Sequence, residues 1–214
     1  MAKNSDVVYQ FKISLQEIEP VIWRRIQVPS KYSFWDLHVA IQDAMGWLDY
    51  HLHAFRYKRP HGRVMEEIGI PDDDFDDIKV TPGWTVKIAD FFKVPGQTII
   101  YAYDFGDGWM HEILLEGILL ADPKMIYPAC LAGAGACPPE DCGSIPGYYE
   151  LLETLKKRKG SEFEEMKTWL KGHAKNYWPY DPANFSPDEV KFDDPKKRFK
   201  IAFGKQKKGW VAAE

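Results

Sequence analysis

Two segments with alternating side chains flank the turn sequence Gly106-Asp107-Gly108. In an extended strand every second residue lies on the same face, so each segment presents one largely apolar face. An Asp-Gly pair suits a turn that needs a positive φ angle, which glycine adopts without a steric penalty. The pattern therefore predicts a tight hairpin, and with it a fold that contains an antiparallel sheet. The residues that share these faces are Ile99, Tyr101, Tyr103 and Phe105 before the turn, and Trp109, His111, Ile113 and Leu115 after it.

A second hairpin is predicted near the start of the chain. Tyr9 to Leu15 alternates, Glu19-Pro20 interrupts the alternation, and Val21 to Val28 resumes it. Arg24 shares a face with apolar neighbours in the second of these strands. We expect its charge to be paired with a carboxylate.

A helix is predicted after this hairpin. Ser33 and Asp36 form a start resembling a capping box, and apolar residues then recur at helical spacing from Phe34 until Gly46. Towards the end of the chain the pattern is helical again, in two segments separated by Gly160. The predicted fold class is α+β, with an antiparallel sheet built from hairpins, a helix packed across it and a helical C-terminal portion.

The chain shows no internal repeat and no break in composition that would divide its main body. One α+β domain is therefore predicted over residues 7–194, preceded by an N-terminal extension at residues 1–6. Residues 195–214 are rich in lysine and are expected to form a flexible basic tail. Tyr127 to Gly147 is rich in proline, glycine and cysteine without periodicity, which predicts an irregular loop.

Composition and missing motifs disfavour some classes of function without excluding a local binding patch. The net charge of -4 and the pI near 5.9 give no global attraction to nucleic acid or to an anionic membrane. No apolar run approaches the roughly 18 residues needed to cross a bilayer, and residues 1–6 lack the apolar stretch of a signal peptide, so a cytoplasmic location is expected. The sequence has no Walker phosphate loop, dinucleotide-binding glycine motif or nucleophile elbow, which disfavours the common nucleotide enzymes.

Three cysteines, Cys130, Cys137 and Cys142, lie close together, and an odd number leaves one unpaired in any internal disulfide scheme. In a reducing compartment, thiols or metal ligands are expected instead. A structural zinc ion takes four sulfur or nitrogen ligands, and His111 is the candidate for the fourth. The other interpretation is that the cysteines are small buried apolar residues.

His51 and His53 lie on one face if Leu48 to Tyr57 forms a strand, so that both imidazoles can reach one ion. Either of them is also a candidate for the fourth ligand of the cysteine site. The alternative is that both histidines serve in packing or hydrogen bonding, because a metal site needs a third ligand that the spacing does not supply.

Asp104, Asp107 and His111 crowd one hairpin, and a carboxylate beside an imidazole is typical of acid-base catalysis or metal binding. Turn chemistry explains Asp107, and His111 lies on an apolar face where a hydrogen-bonded core histidine is common. Asp104 has no such explanation and is the candidate catalytic residue. The residues assigned to a candidate binding surface are Arg24, His51, His53, Asp107 and Trp109.

The chain resembles a known family through a set of short motifs in a fixed order. These motifs are Tyr9-Gln-Phe-Lys12, Pro20-Val-Ile-Trp-Arg-Arg25, Leu37-His38, Ile41-Gln42, Gly46-Trp47, His51-Leu-His53, Tyr103-Asp-Phe-Gly-Asp-Gly-Trp109, His111-Glu112 and Cys137-Pro-Pro-Glu-Asp-Cys-Gly143. From roughly Val7 to Lys191 they resemble the plasmid pRiA4b ORF-3-like family. The resemblance implies a gene that lies near plasmid or transposon genes, and it implies no activity or catalytic residue. Some relatives bear a resolvase label, which would require a nucleophilic serine among arginines and a pair of DNA-binding helices; neither is found here.

The leading hypothesis for function is a non-enzymatic binding or accessory protein, with a protein or nucleic-acid partner. It follows from the missing catalytic set and from the mobile-element setting that the resemblance implies. The alternative is a zinc-dependent enzyme with a Cys/His site in the segment Tyr101 to Gly143 and Asp104 as acid or base.

Overall fold

A computed structural model describes residues 7–58, 65–71 and 80–204. Within these residues one sheet contains eight strands, in the spatial order β5-β4-β3-β6-β7-β1-β2-β8. In chain order the strands are β1 Val7–Leu15, β2 Trp23–Pro29, β3 His53–Lys58, β4 Met65–Gly69, β5 Val80–Pro82, β6 Thr98–Tyr103, β7 Trp109–Leu120 and β8 Ala129–Ala134. The predicted extension at residues 1–6 lies outside the described residues.

Both predicted hairpins are confirmed. β1 pairs with β2, β6 pairs with β7, and β1 also pairs with β7, so that the two hairpins form the centre of the sheet. Among the described strands, all neighbouring pairs are antiparallel except β4 and β5, which are parallel. The sheet and its helices confirm the α+β class.

The helices are α1 Phe34–Met45, α2 Ile88–Phe91, α3 Ser144–Lys157, α4 Ser161–Gly172 and α5 Pro195–Phe203, with a short 3-10 turn at Pro187–Glu189. α1 begins at the capping box of Ser33 and Asp36 and ends at Gly46, whose φ of 93° favours glycine. Its buried face packs across the sheet in one hydrophobic core that also includes Tyr148 of α3. Within the described part of the chain, no helix is both long and apolar enough to span a membrane.

The expectation of an irregular loop between Tyr127 and Gly147 is wrong for its first part. Ala129–Ala134 forms β8, which pairs antiparallel with β2 at the edge of the sheet. This strand lacks an alternating pattern because its residues are mostly alanine and glycine. Pairing with β2 therefore defines the strand, and pairing with a distant segment leaves no local signal.

The expectation of a flexible tail from residue 195 is also wrong for its first nine residues, Pro195–Phe203, which form α5. Asp194 caps the helix, and the rings of Phe199 and Phe203 pack against Trp35 and Trp84. The two phenylalanines are four positions apart and so lie on one helical face, which the abundant lysines obscure in the sequence. The rest of the predicted tail, residues 205–214, lies outside the described residues.

Candidate functional site

Three connections meet at one end of the central strands: the segment after α1, the turn between β6 and β7, and the segment between β8 and α3. The backbone N–H of Leu48 donates to Glu140 Oε1 at 2.6 Å, and the N–H of Gly143 donates to Asp107 Oδ2 at 3.2 Å. The indole N–H of Trp47 donates to the carbonyl of Pro138 at 3.0 Å. These bonds hold acidic residues from separate parts of the chain in one place.

Asp104 directly follows β6 and starts the turn to β7. Its Oδ1 accepts the backbone N–H groups of Gly106 and Asp107 at 3.0 and 3.2 Å, an arrangement that aspartate favours at a turn. Its φ of 53° is in the left-handed region, where aspartate is enriched. Oδ1 is thus occupied by the turn, while Oδ2 lies 3.6 Å from Nε2 of His51.

Glu140 is the buried acid of the group, with a relative exposure of 1%. Its Oε1 also accepts the hydroxyl of Tyr103 at 3.0 Å, and that hydroxyl accepts the N–H of Tyr50. Burial raises the pKa of Glu140, although the hydrogen bonds from Leu48 and Tyr103 act in the opposite direction. Its Oε2 lies 3.9 Å from Nε2 of His51.

His51 is the point where the carboxylates converge. Its Nε2 lies 3.0 Å from Oδ1 of Asp141, in addition to its approaches to Asp104 and Glu140. Nε2 is buried and forms no hydrogen bond with a described residue, although Oδ1 of Asp141 is only 3.0 Å away. If Nε2 of a neutral imidazole carries the lone pair, that lone pair faces the oxygens of three carboxylates, which are acceptors too. If Nε2 carries the N–H, this donor is left without a hydrogen bond to them. The negative charges of the three carboxylates repel one another, and a cation bound between them would offset that repulsion.

The ligand atoms of His51, Asp104 and Asp141 lie within 4.8 Å of one another, which is close enough for one metal ion to contact all three. The His51 side chain is 29% exposed and that of Asp141 is 56% exposed, so the outer side of the group is open to solvent. An ion held here would keep positions for water or another ligand.

His53 does not join His51. β3 starts at His53 rather than at Leu48, so the two histidines do not share a strand face as the sequence predicts. His53 is buried and stacks on His38 with ring centroids 3.5 Å apart. The two nitrogens of His38 lie 2.8 Å from the Tyr101 hydroxyl and 2.9 Å from Oδ1 of Asp49.

The cysteines are free thiols, and in the part of the chain that the structure describes they form no cluster of metal-binding atoms with His111. Cys130 lies on β8, whereas Cys137 and Cys142 bracket the segment that carries Glu140. Burial raises the pKa of all three thiols, that of Cys142 to about 12. The neutral thiol is therefore the stable form in the metal-free protein.

The remaining predicted residues lie at separate positions. Asp107 links the β6–β7 turn to the start of α3, and Trp109 is buried next to Trp47. His111 is buried on β7, where Nδ1 lies 3.2 Å from the carbonyl oxygen of Tyr101. Arg24 is buried on β2 and, contrary to expectation, forms no ion pair with a carboxylate of the described residues.

Glu140 and Asp141 were not predicted as site residues. Both lie inside the motif Cys137-Pro-Pro-Glu-Asp-Cys-Gly143, where the cysteines suggest sulfur ligation. The sequence does contain one signal for them, which is a pair of adjacent acids in the middle of a segment rich in proline and glycine. Such a segment forms a loop, and binding residues often lie on loops.

The comparisons agree with this architecture. The model of the plasmid pRiA4b ORF-3-like protein matches residues 7–189. The chain belongs to this family. Its relatives include the uncharacterized protein y4hQ of Sinorhizobium fredii (strain NBRC 101917 / NGR234), which is 31% identical over 189 residues, 87% of this chain and 91% of the relative.

A solved structure of a similar protein is the crystal structure of the protein of unknown function MM3350 from Methanosarcina mazei Go1. It is 40% identical, superposes with a TM-score of 0.76, and the match covers 87% of this chain and 99% of that protein. The family resemblance inferred from the motifs is thereby confirmed. The names of these relatives assign no role to the acidic group of this chain.

Proposed function

We propose that this plasmid ORF-3-like protein is a binding protein, and that its main site holds one divalent metal ion. The observation that supports the proposal is the convergence of His51, Asp104 and Asp141 within 4.8 Å. The buried Glu140 carboxylate adds negative charge behind them. One imidazole with several carboxylates suits Zn²⁺, Fe²⁺ or Mn²⁺, since imidazole favours the first two and carboxylate oxygen the last.

A proton on His51 is the competing explanation for the same geometry. An imidazolium would also neutralise part of the charge of Asp104 and Asp141. The two cases differ in the metal content of the protein, because a metal-binding site takes up one ion per chain and releases it to a chelator. A protonated histidine does neither.

Removing one carboxylate ligand tests the metal proposal. The variant Asp104→Asn is expected to lower the affinity for Zn²⁺ or Mn²⁺ by at least about tenfold, because it removes a negatively charged ligand. Isothermal titration of protein first treated with chelator measures the affinity and the stoichiometry. Asp188→Asn is the matched control, since Asp188 is exposed and outside the group.

One ion per wild-type chain, with unchanged binding in Asp188→Asn, is the expected pattern. A wild-type protein that binds neither ion, or an Asp104→Asn variant that binds as well as wild type, would exclude the site. Asp141→Asn provides a second removal, because Asp141 is largely exposed and its substitution leaves the β6–β7 turn intact.

A metal-dependent enzyme is the second candidate, and the exposure of His51 and Asp141 favours it. A catalytic ion needs an open position for water, which it activates for attack. Relaxation of water protons by Mn²⁺ bound to the protein separates the two candidates. A water that is bound to Mn²⁺ and exchanges rapidly supports the metal-dependent enzyme. If no such water is found, the binding protein is favoured.

The accessory role next to plasmid or transposon genes is supported by the family and by the surface of α5. Lys196, Lys197 and Lys200 are all exposed on this helix, and phosphate groups attract such lysines. We expect the wild-type protein to retard DNA in a gel-shift experiment. Replacing the three lysines with glutamine is expected to lower the affinity for DNA about tenfold. The control removes the same charge from exposed lysines elsewhere: Lys87, Lys156 and Lys171. Equal loss in both variants, or no shift at all, would leave a protein partner as the accessory role.

A further inference from the structure

A cavity of about 300 Å³ lies between β2, the end of α1 and the segment that precedes α5. It is separate from the acidic group, because none of His51, Asp104 and Asp141 lines it. Three cationic side chains are in its wall, those of Arg24, Lys175 and Lys191, and Arg24 is the buried one.

Arg24 is held firmly in the wall of this cavity. Its Nε donates to the carbonyl of Ala44 at 2.8 Å, and Nη1 donates to the carbonyls of Trp23 and Ala134 at 2.9 and 3.0 Å. The ring of Phe185 covers the guanidinium, with its centroid 3.7 Å from Cζ. Nη2 donates to no described residue, so two of the five N–H groups of arginine are left over.

The charge of Arg24 is not balanced within the part of the chain that the structure describes. The side chain is 1% exposed, yet no carboxylate forms an ion pair with it. The nearby thiols of Cys130 and Cys137 do not supply a negative charge, because burial raises their pKa. Burial also lowers the pKa of Arg24, which shows that its charge is held at a cost in solvation. A buried cation with free donors favours an anion as its partner.

Lys175 adds a second positive charge. Its ammonium donates to the carbonyl of Gly46, which leaves two further N–H groups. Asn184 and Ser186 supply neutral polar groups to the same wall. The cavity also has acidic residues: Asp43 is bound by Arg198, whereas Asp181 and Glu189 are exposed. These acids select against a large anion that would also contact them, so the fitting ligand is a small anion that reaches Arg24.

We propose that this cavity binds a small oxyanion, the carboxylate or phosphate group of a small molecule, through Nη2 of Arg24 and the ammonium of Lys175. Arginine offers a planar pair of N–H donors that matches either oxyanion, and lysine adds a point charge. The volume of about 300 Å³ is at the lower end for ligand pockets.

Phosphate and acetate are the probes, added to wild-type protein at constant ionic strength with chloride as the reference. Saturable binding of at least one probe is expected by isothermal titration. Lys175→Gln should weaken it about tenfold, because a hydrogen-bonded charge is lost. Lys171→Gln is the matched control, since Lys171 is also an exposed lysine but does not line the cavity. Which probe binds more tightly distinguishes a phosphate ligand from a carboxylate ligand.

Crystals soaked in selenate give a second measurement that does not depend on a variant. The anomalous signal of selenium is expected within hydrogen-bond distance of Arg24 Nη2. Absence of this signal together with absence of saturable binding would overturn the proposal. So would binding that Lys175→Gln and Lys171→Gln weaken equally. Metal binding at His51 is measured separately, so either site can fail alone.

Discussion

Arg24→Met is expected to lower the free energy of unfolding by roughly 3 kcal/mol, measured by urea denaturation. Methionine keeps much of the apolar volume of the arginine stem but donates no hydrogen bond. The carbonyl of Ala44 would lose a donor in a buried place, and those of Trp23 and Ala134 would lose theirs in partly buried places. Removing a buried charge recovers some solvation energy, but the loss of three donors outweighs this gain.

The neighbouring arginine is the matched control. Arg25 lies on the opposite face of β2, where its Nε and Nη2 donate to Glu116 at 2.6 and 2.8 Å. Its side chain is 33% exposed, so solvent weakens the ion pair. Arg25→Met is therefore expected to cost at most about 1 kcal/mol. Equal costs for the two variants would show that the three carbonyl bonds of Arg24 contribute little.

Local sequence pattern predicted the parts of the fold that depend on local geometry. The alternation around Gly106-Asp107-Gly108 predicted a hairpin because a strand side chain changes face at every residue. Ser33 and Gly46 predicted both ends of α1 because helix caps have a residue preference of their own.

Elements that depend on distant partners were not predicted. β8 contains mostly small residues and is defined by its pairing with β2. α5 is fixed by Phe199 and Phe203 packing on Trp35 and Trp84, residues more than a hundred positions away. Tertiary contacts of this kind override the secondary structure that local composition predicts.

The candidate site was predicted in part. Asp104 and His51 were singled out by residue type, because an acid and an imidazole can bind a metal or move a proton. Their separate assignments did not predict that they would lie together, since they come from different connections. Asp141 comes from a third connection and lies next to Glu140 in the chain, so the hydrogen bond that holds Glu140 also places Asp141 near His51. Spacing in the chain does not encode a convergence of three connections.

His111 is expected to make the protein less stable as the pH falls from about 6.5 to about 4. Its side chain is 0% exposed, and burial lowers its pKa from 6.5 to about 4, although a hydrogen bond to Tyr101 partly opposes the shift. Above pH 6.5 the imidazole is neutral in both the folded and the unfolded chain, so its protonation does not change stability there. Between the two pKa values only the unfolded chain takes up the proton. Stability is then lost by roughly 3 kcal/mol in total.

The variant His111→Asn isolates this contribution. Asparagine can keep a donor near the position of Nδ1, which lies 3.2 Å from the Tyr101 carbonyl oxygen, but it does not titrate. The smaller side chain leaves a cavity whose cost does not change with pH, so only the slope reports the proton. Urea denaturation from about pH 7.5 to pH 4 should give a shallower loss of stability for the variant than for wild type. Parallel curves would mean that His111 takes up a proton in the folded protein as readily as in the unfolded chain. Burial of His53 lowers its pKa as well, so a residual slope of the same sign is expected in the variant.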